Sequence, residues 1–247
     1  LLARDFKITR QEQDQFAVIS HNRAEAAIKE GRFDGEIVPV PVPPKFKEMQ
    51  TVDNGVRFGQ TLADCTKLRP VFERVTGTVT AGNASQTTDG AAAMIIMREA
   101  KAKSLGLKPL GYLVDYAYAG LEPERMGMGP VFATAKLFEK ASLKLEDFDL
   151  IEMNEAFAAQ VIANERAFAC NDYAKKHLGR DKALGEIDRE IMNVNGGAIA
   201  LGHPVGATGS RMVIHLLREL KRRGKKRGLA TLCIGGGQGA ALALEVN

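Results

Sequence analysis

The spacing of apolar positions changes several times along the chain, and each change predicts a new element. Thr9 followed by Glu12 forms a capping box, which predicts a helix starting near Arg10. Phe16, Ile19 and Ala27 supply its buried stripe, and Gly31 is a suitable stop. The run Glu36 to Pro44 interleaves Ile and Val with Pro, so it reads as an extended edge segment and not as a helix. From there to about Thr76 the chain is irregular and polar, as in a loop-rich subdomain. Gly77 marks a change. Thr78 to Thr80 predicts a short strand, Asp89 to Leu105 a helix closed by Gly106, and Lys108 to Ala119 a strand. Pro130 suits the first turn of a helix reaching about Ser142. Phe148 to Met153 predicts a strand that leads directly into a helix from Glu155 to about Cys170. Gly209 to Arg223 predicts another helix, and Leu229 to Cys233 and Ala240 to Val246 two strands joined by a glycine-rich turn. Alternating strands and helices imply an α/β layered fold, with a loop-rich part over residues 1–76 and an α/β domain over 77–247.

Ala91 to Met97 carries an expectation of its own. The run Ala-Ala-Ala-Met-Ile-Ile-Met is apolar for nearly two helical turns on every face. A helix that is hydrophobic all round must be covered all round. The run therefore predicts a central helix sandwiched between two sheets, the second sheet coming from elsewhere.

Composition changes this picture little. Of 247 residues, 45% are hydrophobic and 26% charged, values ordinary for a globular protein. A net charge of +4 is too small to argue for nucleic acid. The densest basic stretch, Lys221 to Arg227, falls at a helix end, where the dipole and free carbonyls favour cations. The three cysteines, Cys65, Cys170 and Cys233, cannot form a paired disulfide framework, which fits a reducing, cytoplasmic setting. No apolar run approaches the roughly 18 residues of a membrane span. The chain opens Leu-Leu-Ala-Arg-Asp, which reads as starting partway along a helix.

Four segments carry candidate chemistry. Asn193 to Gly209 holds five glycines in seventeen residues and presents His203 beside Pro204 at a helix start. Gly197 and Gly202 have phosphate-loop spacing, but His203 and Pro204 replace the required Lys and Ser/Thr, which excludes a nucleotide phosphate loop. Cys233 follows an apolar strand and precedes Gly235-Gly236-Gly237. That arrangement reads either as a tight hairpin turn or as a thiol beside exposed N–H donors suited to an oxyanion. Asn154, at the end of a strand, suits a helix N-cap or a water- or oxyanion-binding position. Gly82-Asn83-Ala84-Ser85 reads as a turn and cap, with Ser85 a possible hydroxyl donor.

Taken in this order, the segments resemble one family, the thiolases. The resemblance rests on Gly82-Asn83-Ala84-Ser85, Asn154-Glu155-Ala156-Phe157, Gly202-His203-Pro204 with Gly206 and Gly209, and Cys233-Ile234-Gly235-Gly236-Gly237. Ser20 to Ala24 and Gly31 to Phe33 extend it over essentially the whole chain. It implies a layered αβαβα fold of two βαβαβαββ halves, with this chain mainly the C-terminal half plus part of the loop subdomain. The family's acyl-accepting Cys would then lie before residue 1, as would another substrate-contacting His, and the chain alone is expected to be inactive. His203 matches the general base that activates that Cys, and Cys233 the second catalytic Cys, which moves a proton at the α-carbon of acetyl-CoA. Asn154 matches the residue that positions a water for the thioester enolate, and Gly235 the backbone donor of a second oxyanion hole. Ala156 and Phe157 would line the pocket. Ser85, Ala81, Leu68 and Arg57 align with positions contacting coenzyme A, which is a substrate here, with no other cofactor or metal implied.

The subtype follows from one connection. Residues 155–192, 38 in all, separate Asn154 from Asn193. This length looks like degradative 3-ketoacyl-CoA thiolases of fatty-acid β-oxidation, with acyl chains longer than acetoacetyl, more than like biosynthetic acetoacetyl-CoA thiolases. The resemblance further implies a homodimer or tetramer, with a hydratase/dehydrogenase α-subunit as a further partner. Carrier-protein ketosynthases share the fold but use two His beside the nucleophile, whereas this chain offers His203 with Cys233. A rival of another class is a catalytically inert fragment that keeps only coenzyme A binding.

Overall fold

The structure is a computed structural model and describes residues 1–247. In chain order its helices are α1 (Leu2–Asp5), α2 (Arg10–Lys29), α3 (Leu62–Thr66), α4 (Glu99–Ser104), α5 (Gly129–Ala141), α6 (Ala158–Phe168), α7 (Asn171–Tyr173), α8 (Ala198–Leu201) and α9 (Val205–Arg222). The strands are β1 (Val40–Pro41), β2 (Met49–Gln50), β3 (Tyr112–Gly120), β4 (Leu150–Met153), β5 (Arg227–Ile234) and β6 (Gln238–Glu245). β1 and β2 form a small ribbon, the extended segment expected from the Pro-interleaved run. The other four make one mixed sheet in the order β3-β6-β5-β4, antiparallel except for the β4–β5 pair.

Residue alternation along the strands places the helices. Ile151, Met153, Leu229, Ala241 and Ala243 share one core with Val131, Leu137 and Phe138 of α5 and with Val161 and Phe168 of α6. Leu150, Ala230 and Leu244, one residue out of step, join a second core with Leu216, Leu217 and Leu220 of α9. Successive side chains of a strand point to opposite faces. The sheet therefore carries α5 and α6 on one face and α9 on the other. No helix is long and apolar enough to cross a membrane.

The capping box forms as expected. Glu12 N–H donates to Thr9 Oγ1 at 3.2 Å and Thr9 N–H to Glu12 Oε2 at 2.7 Å. α2 then buries Phe16, Ala17, Ser20, His21, Ala24 and Ala27, packing across α3, α6 and α8.

Four local expectations are corrected. Ala91 to Met97 is not a central helix; the segment is irregular, and only Glu99–Ser104 is helical. Ile95 and Ile96 are 87% and 79% exposed. An apolar cylinder needs cover on all sides, and both faces of this sheet are already occupied by α5, α6 and α9. Thr78 to Thr80 is no strand but an irregular segment, Val79 O accepting from Val71 N–H at 2.9 Å. The helix after β4 starts at Ala158 instead of Glu155, because residues 154–157 leave the sheet to pair with another loop. The helix after His203 starts earlier than expected, at Val205, because Pro204 suits the position before a first helical turn.

Candidate active site

The β4–β5 pair is parallel, so both strands end at the same edge of the sheet. Asn154 follows β4 immediately, its N–H donating to Thr231 O of β5 at 3.0 Å. Cys233 is the penultimate residue of β5, and Gly235 to Gly237 turn the chain back into β6. Ligands of open α/β sheets gather at the carboxyl ends of parallel strands, and here that edge carries an amide, a thiol and a glycine turn. Cys233 is buried, which pushes its thiol up to about 11, so it stands protonated at neutral pH. Gly235 is exposed, with no atom within 4 Å of where a Cβ would stand.

His203 reaches this edge from the other direction. Its Nε2 lies 3.3 Å from Asn154 Nδ2, and its Nδ1 lies 2.7 Å from Thr208 Oγ1. With the Asn154 amide donating to Nε2, the Nδ1 proton is donated to Thr208, whose hydroxyl faces Pro204 O at 3.3 Å. Nε2 is then the ring's accepting nitrogen, the tautomer a general base requires, and its lone pair is shared with the Asn154 amide until a more acidic proton displaces it. Burial, with a further contribution from the positive Arg211, lowers the His203 pKa and keeps the ring neutral. The backbone is set by Gly202, whose φ is +94° and whose absent Cβ leaves space for Thr88. Thr88 Oγ1 accepts the His203 N–H at 3.3 Å.

Asn154 is not a helix cap, since α6 begins at Ala158 with Phe157 before it. Its amide is held at the sheet edge, and its buried Oδ1 has no partner among the protein atoms. Ala156 and Phe157 pair instead with the turn at residues 82–85. Ser85 N–H donates to Ala156 O and Ala158 N–H to Asn83 O, both at 2.9 Å, with Ala84 bridged to Phe157. Leu68 packs against Gly82, its Cδ1 2.6 Å from where a Cβ there would stand. Ala81, next in sequence, is exposed. Ser85, Ala156, Phe157, Leu68 and Ala81 thus gather around one turn beside the sheet edge.

Arg57 lies further off. Its side chain is exposed, and its N–H donates to Nδ1 of the buried His21 at 3.1 Å. The same loop is tied in through Gln86, whose Nε2 donates to Gly55 O at 2.7 Å and faces Ile199 O at 3.2 Å. Burial and the positive Arg57 hold the His21 pKa down to about 4. The native ring stays neutral while the unfolded ring takes up a proton near 6.5. Stability present above pH 6.5 is therefore lost as the pH falls toward 4. Replacing His21 by Gln, which keeps an acceptor for Arg57, will flatten that acid loss by about 3 kcal/mol in denaturant titrations across this window. An unchanged slope between the two proteins would refute the assignment.

Three residues of this constellation escaped the sequence reading. Thr208, in the first turn of α9, and Thr88, in an irregular segment, orient His203, but nothing in their local sequence hints at which side chain they meet. Glu155 was in view, flanked by Asn154 and Ala156, yet an acidic residue after a strand reads as solvated. It is 1% exposed.

Comparison with known proteins agrees with this geometry. Residues 1–100 match the family model of the thiolase N-terminal domain, and residues 107–246 that of the thiolase C-terminal domain. A 3-ketoacyl-CoA thiolase of Pectobacterium carotovorum subsp. carotovorum (strain PC1) is 48% identical over 247 residues, all of this chain and 56% of that protein. One from Enterobacter sp. (strain 638) is 49% identical with the same coverage. The crystal structure of the Bacillus anthracis acetyl-CoA acetyltransferase superposes with a TM-score of 0.88 at 44% identity, covering 99% of this chain and 58% of that one. The human mitochondrial 3-ketoacyl-CoA thiolase in complex with CoA gives 0.85 at 42% identity, covering 100% and 57%. The chain thus spans a little over half the length of these relatives.

Proposed function

The chain belongs to the thiolase family, and from that premise we propose that the whole protein cleaves 3-ketoacyl-CoA with coenzyme A into acyl-CoA and acetyl-CoA. The observation that carries the reading is the 3.3 Å approach of His203 Nε2 to Asn154 at the sheet edge where β5, with Cys233 its penultimate residue, ends.

In this reading a thiolate attacks the 3-keto carbonyl, and the bond between C2 and C3 breaks with its electrons passing to the thioester oxygen as an enolate. We assign that thiolate to the remainder of the whole protein. Cys65 is buried in α3 with Gln60 Nε2 3.3 Å from its sulfur, and Cys170 caps α7. His203 accepts the proton of the attacking thiol, since a free Cys has a pKa of about 8.5 and is mostly protonated at neutral pH. Asn154 helps to stabilise the enolate oxygen, and Cys233, protonated at neutral pH, delivers a proton to its α-carbon. The Gly235 N–H serves the other oxyanion, that of the tetrahedral adduct at the 3-position. The acyl group then leaves on the sulfur of coenzyme A.

Ser85, Ala81, Leu68 and Arg57 are assigned to coenzyme A, and Ala156 and Phe157 to the acyl pocket. Residues 1–76 are taken as a loop-rich subdomain and 77–247 as the C-terminal domain. No further cofactor is invoked. A homodimer or tetramer, a hydratase/dehydrogenase partner and a cytoplasmic setting belong to the same proposal. The long connection between Asn154 and Asn193 supports a degradative enzyme, as do relatives named 3-ketoacyl-CoA thiolase. The alternative, a biosynthetic acetoacetyl-CoA thiolase, draws on the likeness to the Bacillus anthracis acetyl-CoA acetyltransferase.

The test is acetyl-CoA release by the full-length protein from 3-ketoacyl-CoAs of increasing length. Turnover on chains longer than acetoacetyl is expected. Turnover on acetoacetyl-CoA alone would move the protein to the acetyltransferase reading, and none on any chain would refute both.

A further inference from the structure

Glu155 is a buried carboxylate that the chemistry above does not use. Its side chain has no cationic partner within salt-bridge distance, and it sits directly after Asn154. Three donors surround it. Ser20 Oγ donates to Oε2 at 2.6 Å, Asn193 Nδ2 to Oε1 at 2.9 Å, and Ile199 N–H to Oε2 at 3.2 Å. Ser20 Oγ in turn accepts the Gly197 N–H at 3.1 Å. Asn193 also brackets Met153, accepting its N–H at 2.9 Å and donating to its O at 2.8 Å. That fixes which end of the Asn193 amide faces Glu155, because a backbone N–H can only donate. The carboxylate therefore ties the end of β4 to α2 and to the start of α8, four residues before His203.

Burying a carboxylate without a salt-bridge partner costs several kcal/mol, only partly offset by the more distant positive Arg211, and an apolar side chain of similar size would pack at lower cost. Gly197 shows how tightly the group is housed: a Cβ there would stand 2.3 Å from the Glu155 Cδ. Gly197 thus leaves room for this carboxylate, while Gly196, its φ at +77°, lies against Ser20 and Ala24 of α2. Burial raises the Glu155 pKa, and the hydrogen bonds from Ser20, Asn193 and Ile199 oppose that rise.

We propose that Glu155 is a positioning residue, its carboxylate gripping the 197–199 backbone so that His203 is held at its working distance from Asn154. Asn154 lies one residue from the post and His203 four residues beyond the gripped turn. A shift of either therefore passes directly into their separation. The inference rests on the assignment of Asn154 and His203 to the acyl-transfer site.

The test uses the full-length protein and Glu155→Gln, which keeps the shape but turns one acceptor into a donor that faces donors. We expect kcat for thiolysis to fall about 100-fold, the effect of an ångström-scale misplacement, with KM nearly constant and thermal unfolding still cooperative. The ¹⁵N resonances of the His203 ring, identified by their loss in His203→Gln, should move as Nε2 loses its contact with Asn154. Gly197→Ala, which crowds the carboxylate from the other side, should give the same kcat loss. The double variant should then lose no more than either single one, as expected for residues acting as a unit. Unchanged kcat and unchanged His203 resonances in Glu155→Gln would overturn the proposal, as would additive losses. If Glu155→Gln fails to fold, Ser20→Ala removes one donor and leaves the carboxylate. A fall in kcat at constant KM then supports the proposal, and an unchanged kcat overturns it. Absence of thiolysis in the unmodified protein would remove the functional reading instead, and the His203 resonances would then decide the positioning role.

Discussion

In the full-length protein, His203→Ala will lower kcat for thiolysis by about 10³-fold while leaving KM nearly unchanged. Two losses combine in that figure. The imidazole is the base assigned to the attacking thiol, and its removal leaves that thiol protonated at neutral pH. The same ring faces Asn154 across 3.3 Å, so the oxyanion-binding side of the site loses a partner as well. Rapid-quench measurement should find acyl-enzyme formation as the slowed step. The variant should fold normally, because Asn154 remains anchored through its own N–H to Thr231. Acyl-enzyme formation at the unmodified rate would show that His203 is not the base.

The second large effect is expected at Cys233. Burial raises this thiol to about 11, which makes it a proton donor and not a standing thiolate at neutral pH. Cys233→Ser conserves the shape but replaces the thiol with a hydroxyl several units less acidic. Carbon–carbon cleavage should slow by about 10²–10⁴-fold, the usual range for a lost general acid. Hydrogen exchange at the α-carbon of acetyl-CoA in D₂O should be lost with it. Transfer of acetyl groups between coenzyme A molecules through the protein should persist, since that step needs His203 and no proton movement at carbon. Persistent α-hydrogen exchange in Cys233→Ser would refute the assignment.

These two predictions draw on residues legible in the sequence for different reasons. His203 stands out because Gly202 and Pro204 frame it, and a rigid frame around an isolated imidazole has few other uses. Cys233 stands out because three glycines leave room near its sulfur. Asn154 was ambiguous, as a strand-ending Asn caps helices as readily as it binds oxyanions. The structure removes the cap reading by delaying α6 to Ala158, because Ala156 and Phe157 first pair with the 82–85 turn. Glu155 shows the opposite limit. Its burial depends on donors from Ser20, 135 residues earlier in the chain, and from Ile199, 44 residues later, so no local window could reveal it.

The run Ala91 to Met97 was misread for a related physical reason. Its composition is compatible with a helix only if something covers every side, and the sequence cannot say whether that cover is present in the same chain. With the sheet faces taken by α5, α6 and α9, the run stays irregular and exposed.

What the sequence determined by itself was local: the capping box at Thr9, the strand pair closed by Gly235 to Gly237, the helix over most of α9, and the residue types that mark the site. Those features follow from backbone sterics and side-chain period within a few residues of one another. Tertiary structure alone decided which of them meet. The β4–β5 register brings Asn154 and Cys233 to one edge, the Gly202 bend turns His203 toward Asn154, and the packing of α2 on α8 encloses Glu155. Such contacts join segments tens of residues apart, and they form only when burial of the shared core outweighs the entropy of bringing those segments together.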